Sequence, residues 1–288
     1  MSEVVLFGPA CTPTSIAKLK PFPSRGEITL DLSRTRFISP GGVVGLCLLG
    51  RGVCDHGQPL TIKLGTQIAS YACRMGLHEY FGHIPDVEFD PPIDLWDVQH
   101  HDRRGDLVEL TLVAVDDDDQ VNDASAAVSE VLAEQLPDLA GREREAIING
   151  VAELLSNVER HSGETEALFT VQSYRWEVVL SVGDAGRGVR ASLNHLHGSR
   201  IRRMTDGQVL RFATRRGICG STFGGGYGLF MQRRWVEFRG AAFHLMSGRG
   251  YFAIWRGRQY RIVRRMAHYM PGTLAEMHIV KERLTLGG

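Results

Sequence analysis

The residues best equipped for chemistry fall within residues 146–189, which read AIINGVAELLSNVERHSGETEALFTVQSYRWEVVLSVGDAGRGV. Glu153, Asn157 and His161 follow one another at intervals of four, so each advances only about 40° around a helix of roughly 3.6 residues per turn. A carboxylate, a carboxamide and an imidazole then share one ridge. Asp184-Ala185-Gly186-Arg187-Gly188 places another carboxylate beside two glycines at the end of a β-rich run, which suits close approach by a flat ligand. Further on, Gly224-Gly225-Gly226-Tyr227-Gly228-Leu229 opens a helical run over 229–238. A glycine-rich turn feeding a helix N-terminus supplies free N–H groups and a favourable dipole end for phosphate.

The elements that must position these groups are legible in the apolar spacing. Ile147, Val151, Leu154, Leu155 and Val158 recur at three, four and seven, which predicts an amphipathic helix with one buried face. Residues 167–174 and 176–182 are two β-rich runs joined tightly enough to be a hairpin. Residues 107–115 alternate as a strand, the acids 116–119 suit the first turn of a helix over about 121–135, and Pro137 ends it. Residues 241–246 and 251–255 read as strands around a Ser247-Gly248-Arg249-Gly250 turn, with another strand at 273–280. The intervening 256–270, with Tyr260 and Tyr269 among arginines, reads as a twisted, half-exposed hairpin, although basic plus aromatic is also how single-stranded nucleic acid is gripped.

Each feature alone has an ordinary reading. Glu153 and Asn157 on an isolated helix would be solvated, Asp184 before its glycines would cap a turn, and a glycine string is weak evidence. Their order along the chain is much stronger. Over residues 107–280 the sequence resembles the ATP-binding domain of the GHKL superfamily, shared by type II topoisomerases, heat-shock chaperones, sensor histidine kinases and mismatch-repair ATPases. Glu-Leu-Leu-Ser-Asn-Val-Glu-Arg-His matches the first motif, Asp-Ala-Gly-Arg-Gly the second and Gly-Gly-Gly-Tyr-Gly-Leu the third. Within the superfamily it looks most similar to the anti-sigma-factor serine kinases.

The resemblance implies ATP and Mg²⁺, with Asn157 as the Mg²⁺ ligand and Glu153 as general base toward a water or an acceptor hydroxyl. Asp184 would accept from the adenine amino group, Gly186 and Gly188 would pass close to the base, and Gly224, Gly226 and Gly228 would hold the phosphates. Residues 190–223 would be the mobile lid. Arg215 and Arg216 on it are candidates to reach the terminal phosphate, with Arg187 a third option. His161 either orients Glu153 or simply ends its helix.

Toward the N-terminus, residues 4–7 and 27–32 read as strands of one sheet, 43–53 as a helix after a Pro40-Gly41-Gly42 turn, 59–64 as a strand and 66–75 as a helix. The order indicates an α/β sheet domain. The stretch Asp31-Leu-Ser-Arg-Thr-Arg-Phe-Ile-Ser-Pro-Gly-Gly-Val-Val-Gly-Leu46 resembles the STAS domain, whose regulatory members carry a serine that a GHKL kinase phosphorylates. Here Pro40 stands at that phosphoacceptor and has no hydroxyl, while Ser39 is one residue away. The departure favours a retained docking surface over a phosphorylation switch. The expectation is therefore an α/β (α+β) chain: a STAS-like sheet-and-helix domain over 1–95, a linker over 96–106 and a GHKL two-layer α/β sandwich with an ATP lid over 107–288.

Composition bounds the rest. The chain has 288 residues, 43% of them hydrophobic, enough for one or two cores without disulfides. Five cysteines without a CxxC pair argue against a disulfide framework and a cysteine zinc site, and point to the cytoplasm. No run approaches the roughly 20 apolar residues of a membrane span. His100-His101 and His195/His197 are pairs without a third ligand at helpful spacing. Net charge is zero, yet residues 187–265 hold 17 Arg against Asp206 and Glu237 alone, a local excess of 15. That half expects anions: ATP, an acidic partner such as a sigma-factor or STAS-type regulator, the chain's own 116–119 run or, as a third reading, nucleic acid. A nucleotide-gated module that turns nothing over is the rival to an ATPase or serine/threonine kinase, and a homodimer follows by resemblance.

Overall fold

The computed structural model describes residues 3–90, 106–220, 228–255 and 260–281. In chain order the first part contains β1 Glu3–Leu6, β2 Ala10–Cys11, α1 Pro13–Ile16, β3 Ile28–Leu32, β4 Phe37–Ile38, α2 Pro40–Asp55, β5 Leu60–Leu64, α3 Thr66–Arg74, α4 Leu77–Gly82 and β6 Val87–Asp90. The second contains β7 Leu107–Ala114, α5 Asp118–Gln135, α6 Gly141–His161, β8 Glu166–Ser173, β9 Glu177–Asp184, α7 Gly188–Ile201, α8 Asp206–Ala213, α9 Gly228–Arg239, β10 Ala242–Trp255 and β11 Tyr260–Val280. The fold is mixed α/β, with a parallel sheet in the order β1-β3-β5-β6 and an antiparallel sheet in the order β10-β11-β9-β8-β7.

Strict alternation in β3 and β5 buries Ile28, Leu30, Leu32, Leu60, Ile62 and Leu64 on one face of the parallel sheet. The other face is open, and Leu6 on it is 62% exposed. The buried face meets α2, which is apolar nearly all round and consequently buried nearly all round. Val44 and Leu48 of α2 lie against Gly183 of β9, so α2 is sandwiched between the two sheets. Leu168, Met246, Tyr251, Met270 and Leu274 of the antiparallel sheet join the same apolar cluster as the parallel-sheet residues. The opposite face of the antiparallel sheet, with Val178, Leu180 and Val182, packs on α5 and α6 through Val128, Leu132, Ile147, Val151 and Leu155.

Three readings of the sequence are corrected. Pro40-Gly41-Gly42 is the first turn of α2, with Ser39 as N-cap accepting from the Gly42 N–H at 3.1 Å and proline tolerated at N1. Those glycines serve close approach: a Cβ on Gly41 would lie 2.6 Å from Glu276 Oε2. Residues 241–255 do not turn at 247–250. β10 runs through that stretch with register shifts around Gly248 (φ +59°), and β11 passes it with extra residues between Arg265 and Met270 and between Met270 and Thr273, so residues 260–270 and 273–280 belong to one irregular strand. Finally, residues 84–106 read in the sequence as a polar linker stretch with little periodicity, yet their first part forms β6, where Val87 pairs with Leu60. Residues 96–105 of the linker, with His100 and His101, lie outside the described residues. Among the described residues no helix is long and apolar enough to cross a membrane.

Candidate nucleotide cleft

α6 delivers the first set of groups. Its apolar stripe, Ile147 to Val158, is buried against the sheet, which turns Glu153, Asn157 and His161 toward the neighbouring helices and the end of β9. All three line a single cleft that opens to solvent. Asp184, Gly188 and Gly228 line it too, with walls from Val158, Val182, Leu193, Ile218 and Leu229. The mostly apolar lining with a few convergent polar groups is that of small-molecule sites.

Asp184 closes the floor. Its β9 position places it on the same face as Val178, Leu180 and Val182, and it is 5% exposed. Burial pushes its carboxyl up to about 6, only partly offset by the Gly186 N–H, which donates to Oδ1 at 2.9 Å, and by Thr273. Thr273 sits opposite Asp184 in the β11–β9 register. With two protein donors, the carboxylate keeps lone pairs free for a ligand N–H.

Gly228, the first residue of α9, approaches Glu153 so closely that a Cβ there would overlap the Glu153 side chain. The contact brings the first motif and the end of the third together, and Gln232 fixes it by donating to the Gly150 carbonyl at 2.7 Å. Gly224 and Gly226 lie outside the described residues. Gly186 and Gly188 have protein neighbours: added Cβ atoms would meet the Ser162 carbonyl and the Ser247 hydroxyl, at 2.5 and 2.6 Å. Their smallness lets the β9–α7 turn wedge between the end of α6 and β10.

His161 is the last residue of α6, two turns or about 12 Å of helix beyond Glu153, too far to orient it. Its Nε2 faces Cys219 Sγ at 3.7 Å, and burial, then Arg160 and Arg187, depress its pKa. The stretch read as a lid holds α7 and α8. Leu193, Ile201, Val209, Phe212 and Ala213 form their own cluster, and α8 begins with a capping box at Thr205. Arg215 lies over the Phe212 ring at 5.6 Å, and neither it nor Arg216 lines the cleft. Arg187 is exposed at the N-cap of α7. Four arginines of the arginine-rich half pair with acids among the described residues: Arg190 with Asp206, Arg233 and Arg261 with Glu237, and Arg239 with Glu143. The 116–119 run is engaged otherwise, Asp117 capping α5 through the Asp119 and Gln120 N–H groups.

Sequence reasoning missed Ser162 and Thr273, whose roles depend on which strand and helix end meet in space. It also missed a buried polar group on the opposite face of the sheet. There Glu276 Oε2 accepts from the Ser39 hydroxyl at 2.9 Å and from the Gly41 N–H at 2.6 Å. Ser39 is 4% exposed, on the side of the sheet away from Glu153. No family model, curated protein or solved structure matches the chain.

Proposed function

We propose that the chain is an ATP–Mg²⁺-binding cytoplasmic regulator of the GHKL type, acting on or through an acidic protein partner. The observation that supports this best is the convergence of Glu153, Asn157, Asp184 and Gly228, four residues spread over 76 positions of sequence, on one cleft. Asp184 fits adenine: a buried acceptor short of donors matches an exocyclic amino group. Asn157 fits a hard cation through its carbonyl oxygen. Bound Mg²⁺–ATP would supply an activated phosphoryl group. Glu153, beside the start of α9, is the carboxylate placed to take a proton from a hydroxyl or water. Gly228 and the N-terminus of α9 offer backbone N–H groups to an anion.

Calorimetry with ATP, first with Mg²⁺ and then with EDTA, tests the reading. Metal-dependent binding that weakens at least tenfold, about 1.4 kcal/mol, in Asn157→Ala is the expected result. No binding at millimolar ATP overturns it. Glu153→Gln then divides enzyme from switch: it should keep the affinity and lose turnover, and equal turnover in wild type and variant rules out the general base.

A further inference from the structure

The back face of the antiparallel sheet carries a second constellation unrelated to the cleft. His244 on β10 and Glu276 and His278 on β11 present one ligand atom each, all within 4.8 Å of one another; His244 and Glu276 are buried and His278 is half-buried. The pairing register explains why: Ala242 stands opposite His278 and His244 opposite Glu276, so alternation puts all three on one face.

Their hydrogen bonds are sorted in a telling way. The Nδ1 of His278 is held by Glu177 Oε2 at 3.0 Å, and the Nδ1 of His244 by the Tyr251 hydroxyl at 2.9 Å. Tyr251 is anchored in turn by Thr14 at 3.0 Å. Both imidazoles are therefore gripped from outside through Nδ1, which leaves both Nε2 atoms for the centre. Glu276 Oε1 stands 3.1 Å from His278 Nε2, while Oε2 is committed to Ser39 and Gly41. His244 Nε2 is buried and has no hydrogen-bond partner. An orphaned buried nitrogen is costly unless something uses its lone pair.

We propose that His244 Nε2, His278 Nε2 and Glu276 Oε1 form a binding site for a borderline divalent transition metal, with Zn²⁺ as its simplest occupant. Two imidazoles and a carboxylate make a three-ligand set for zinc, leaving a fourth position for water. The outer grip of a carboxylate on one ligand histidine and a phenol on the other is the arrangement that fixes tautomer and ring direction in metal sites. Ligand atoms around a tetrahedral zinc lie about 3.3 Å apart, so the Glu276–His278 pair is already at that spacing and His244 closes by a movement on the order of 1 Å. Binding replaces the Nε2 proton of His278, which leaves to solvent as the nitrogen takes the metal. Metal on Oε1 pins the carboxylate whose Oε2 holds the first turn of α2, so occupancy locks the N-terminal layer onto the sheet.

The full chain refolded with Zn²⁺ or Co²⁺, then gel-filtered, should retain one metal per chain. Its Tm should fall when a chelator strips that metal, and Co²⁺ should give the visible bands of a nitrogen–oxygen site without a thiolate charge-transfer band. His244→Leu should lose the metal, and Glu177→Gln should weaken it about 10–100-fold. Because the Co²⁺ spectrum is read on wild type, a variant that fails to fold does not decide the matter. No retained metal and no chelator effect on Tm would leave only an imidazolium–carboxylate ion pair and overturn the proposal. So would a thiolate band, or equal retention by a folded His244→Leu chain.

Discussion

Asp184 and Glu276 stand on adjacent strands of one sheet, face opposite ways and are buried to nearly the same degree, 5% and 1% exposed. Their acidities nevertheless part. Burial dominates for Asp184, which is pushed up to about 6. Glu276 is more deeply buried, yet the His278 side chain, the charges of His278 and His244 and the Gly41 N–H overcome desolvation and hold it below the usual carboxylate range. Depth does not decide what a buried carboxylate does; its supply of donors does. The front face keeps a polar group in deficit where a ligand can satisfy it, and the back face satisfies its group with the protein's own helix.

Removing Glu276 should produce the largest effect, since it strands the Ser39 hydroxyl, the Gly41 N–H and the His278 ring in a closed interface. Glu276→Ala should lower unfolding stability by about 3–5 kcal/mol in urea titrations. A loss under about 1 kcal/mol would mean that the two faces do not differ as argued.

Asp184→Asn should do the reverse. An acid with a raised folded pKa binds its proton more tightly when folded, so stability falls as pH rises from about 4 to about 6 and the penalty is complete above that. The roughly two-unit shift, near 1.4 kcal/mol per unit, sets a ceiling of about 3 kcal/mol. The variant should therefore melt higher than wild type at pH 7.5, converge with it near pH 4, and lose nucleotide affinity. A variant that melts lower than wild type at pH 7.5 would sink the deficit argument.

The smallest effects come from a matched pair of glycines. Gly183→Ala places a Cβ 2.5 Å from Val44 in the closed back layer and should cost about 1–3 kcal/mol with the cleft intact. Gly228→Ala places a Cβ in overlap with Glu153 Cγ, so Glu153 or the start of α9 must shift; it should cost about 1–3 kcal/mol of stability and, unlike Gly183→Ala, impair nucleotide binding. Comparing the melts and the calorimetry of the two variants sharpens the front–back distinction or erases it.

The front face was the more legible in sequence. Its helix α6 announces itself by spacing, the β8–β9 hairpin by composition, and Asp184 by its place at a strand end. The back face is made of pairings that local patterns do not carry. Glu276 and His278 alternate on one face of β11, and the start of α2, docked from the other end of the chain, closes over Glu276. The same limit explains the misread turn at 247–250. Ser-Gly-Arg-Gly is good turn chemistry, yet β10 continues because Asp206 of α8 accepts the Arg249 N–H at 2.8 Å where the ladder is irregular. β6 has two half-buried and two exposed residues, and its only strong signal is the Leu60 edge that it completes.

The Ser39–Glu276 contact joins residues 237 positions apart, and so does Thr14–Tyr251. On a ribosome adding about 5–20 residues per second, roughly 10 to 50 seconds pass between the two halves of each pair. During that interval α2 has its cap serine and its glycines but not the sheet that covers them. The helix that is innermost in the finished molecule is thus among the first segments made and among the last to be enclosed. Chains that stall before β11 should present it to chaperones and to one another, and folding yield should depend more on the pace of synthesis than on the strength of any contact in the cleft.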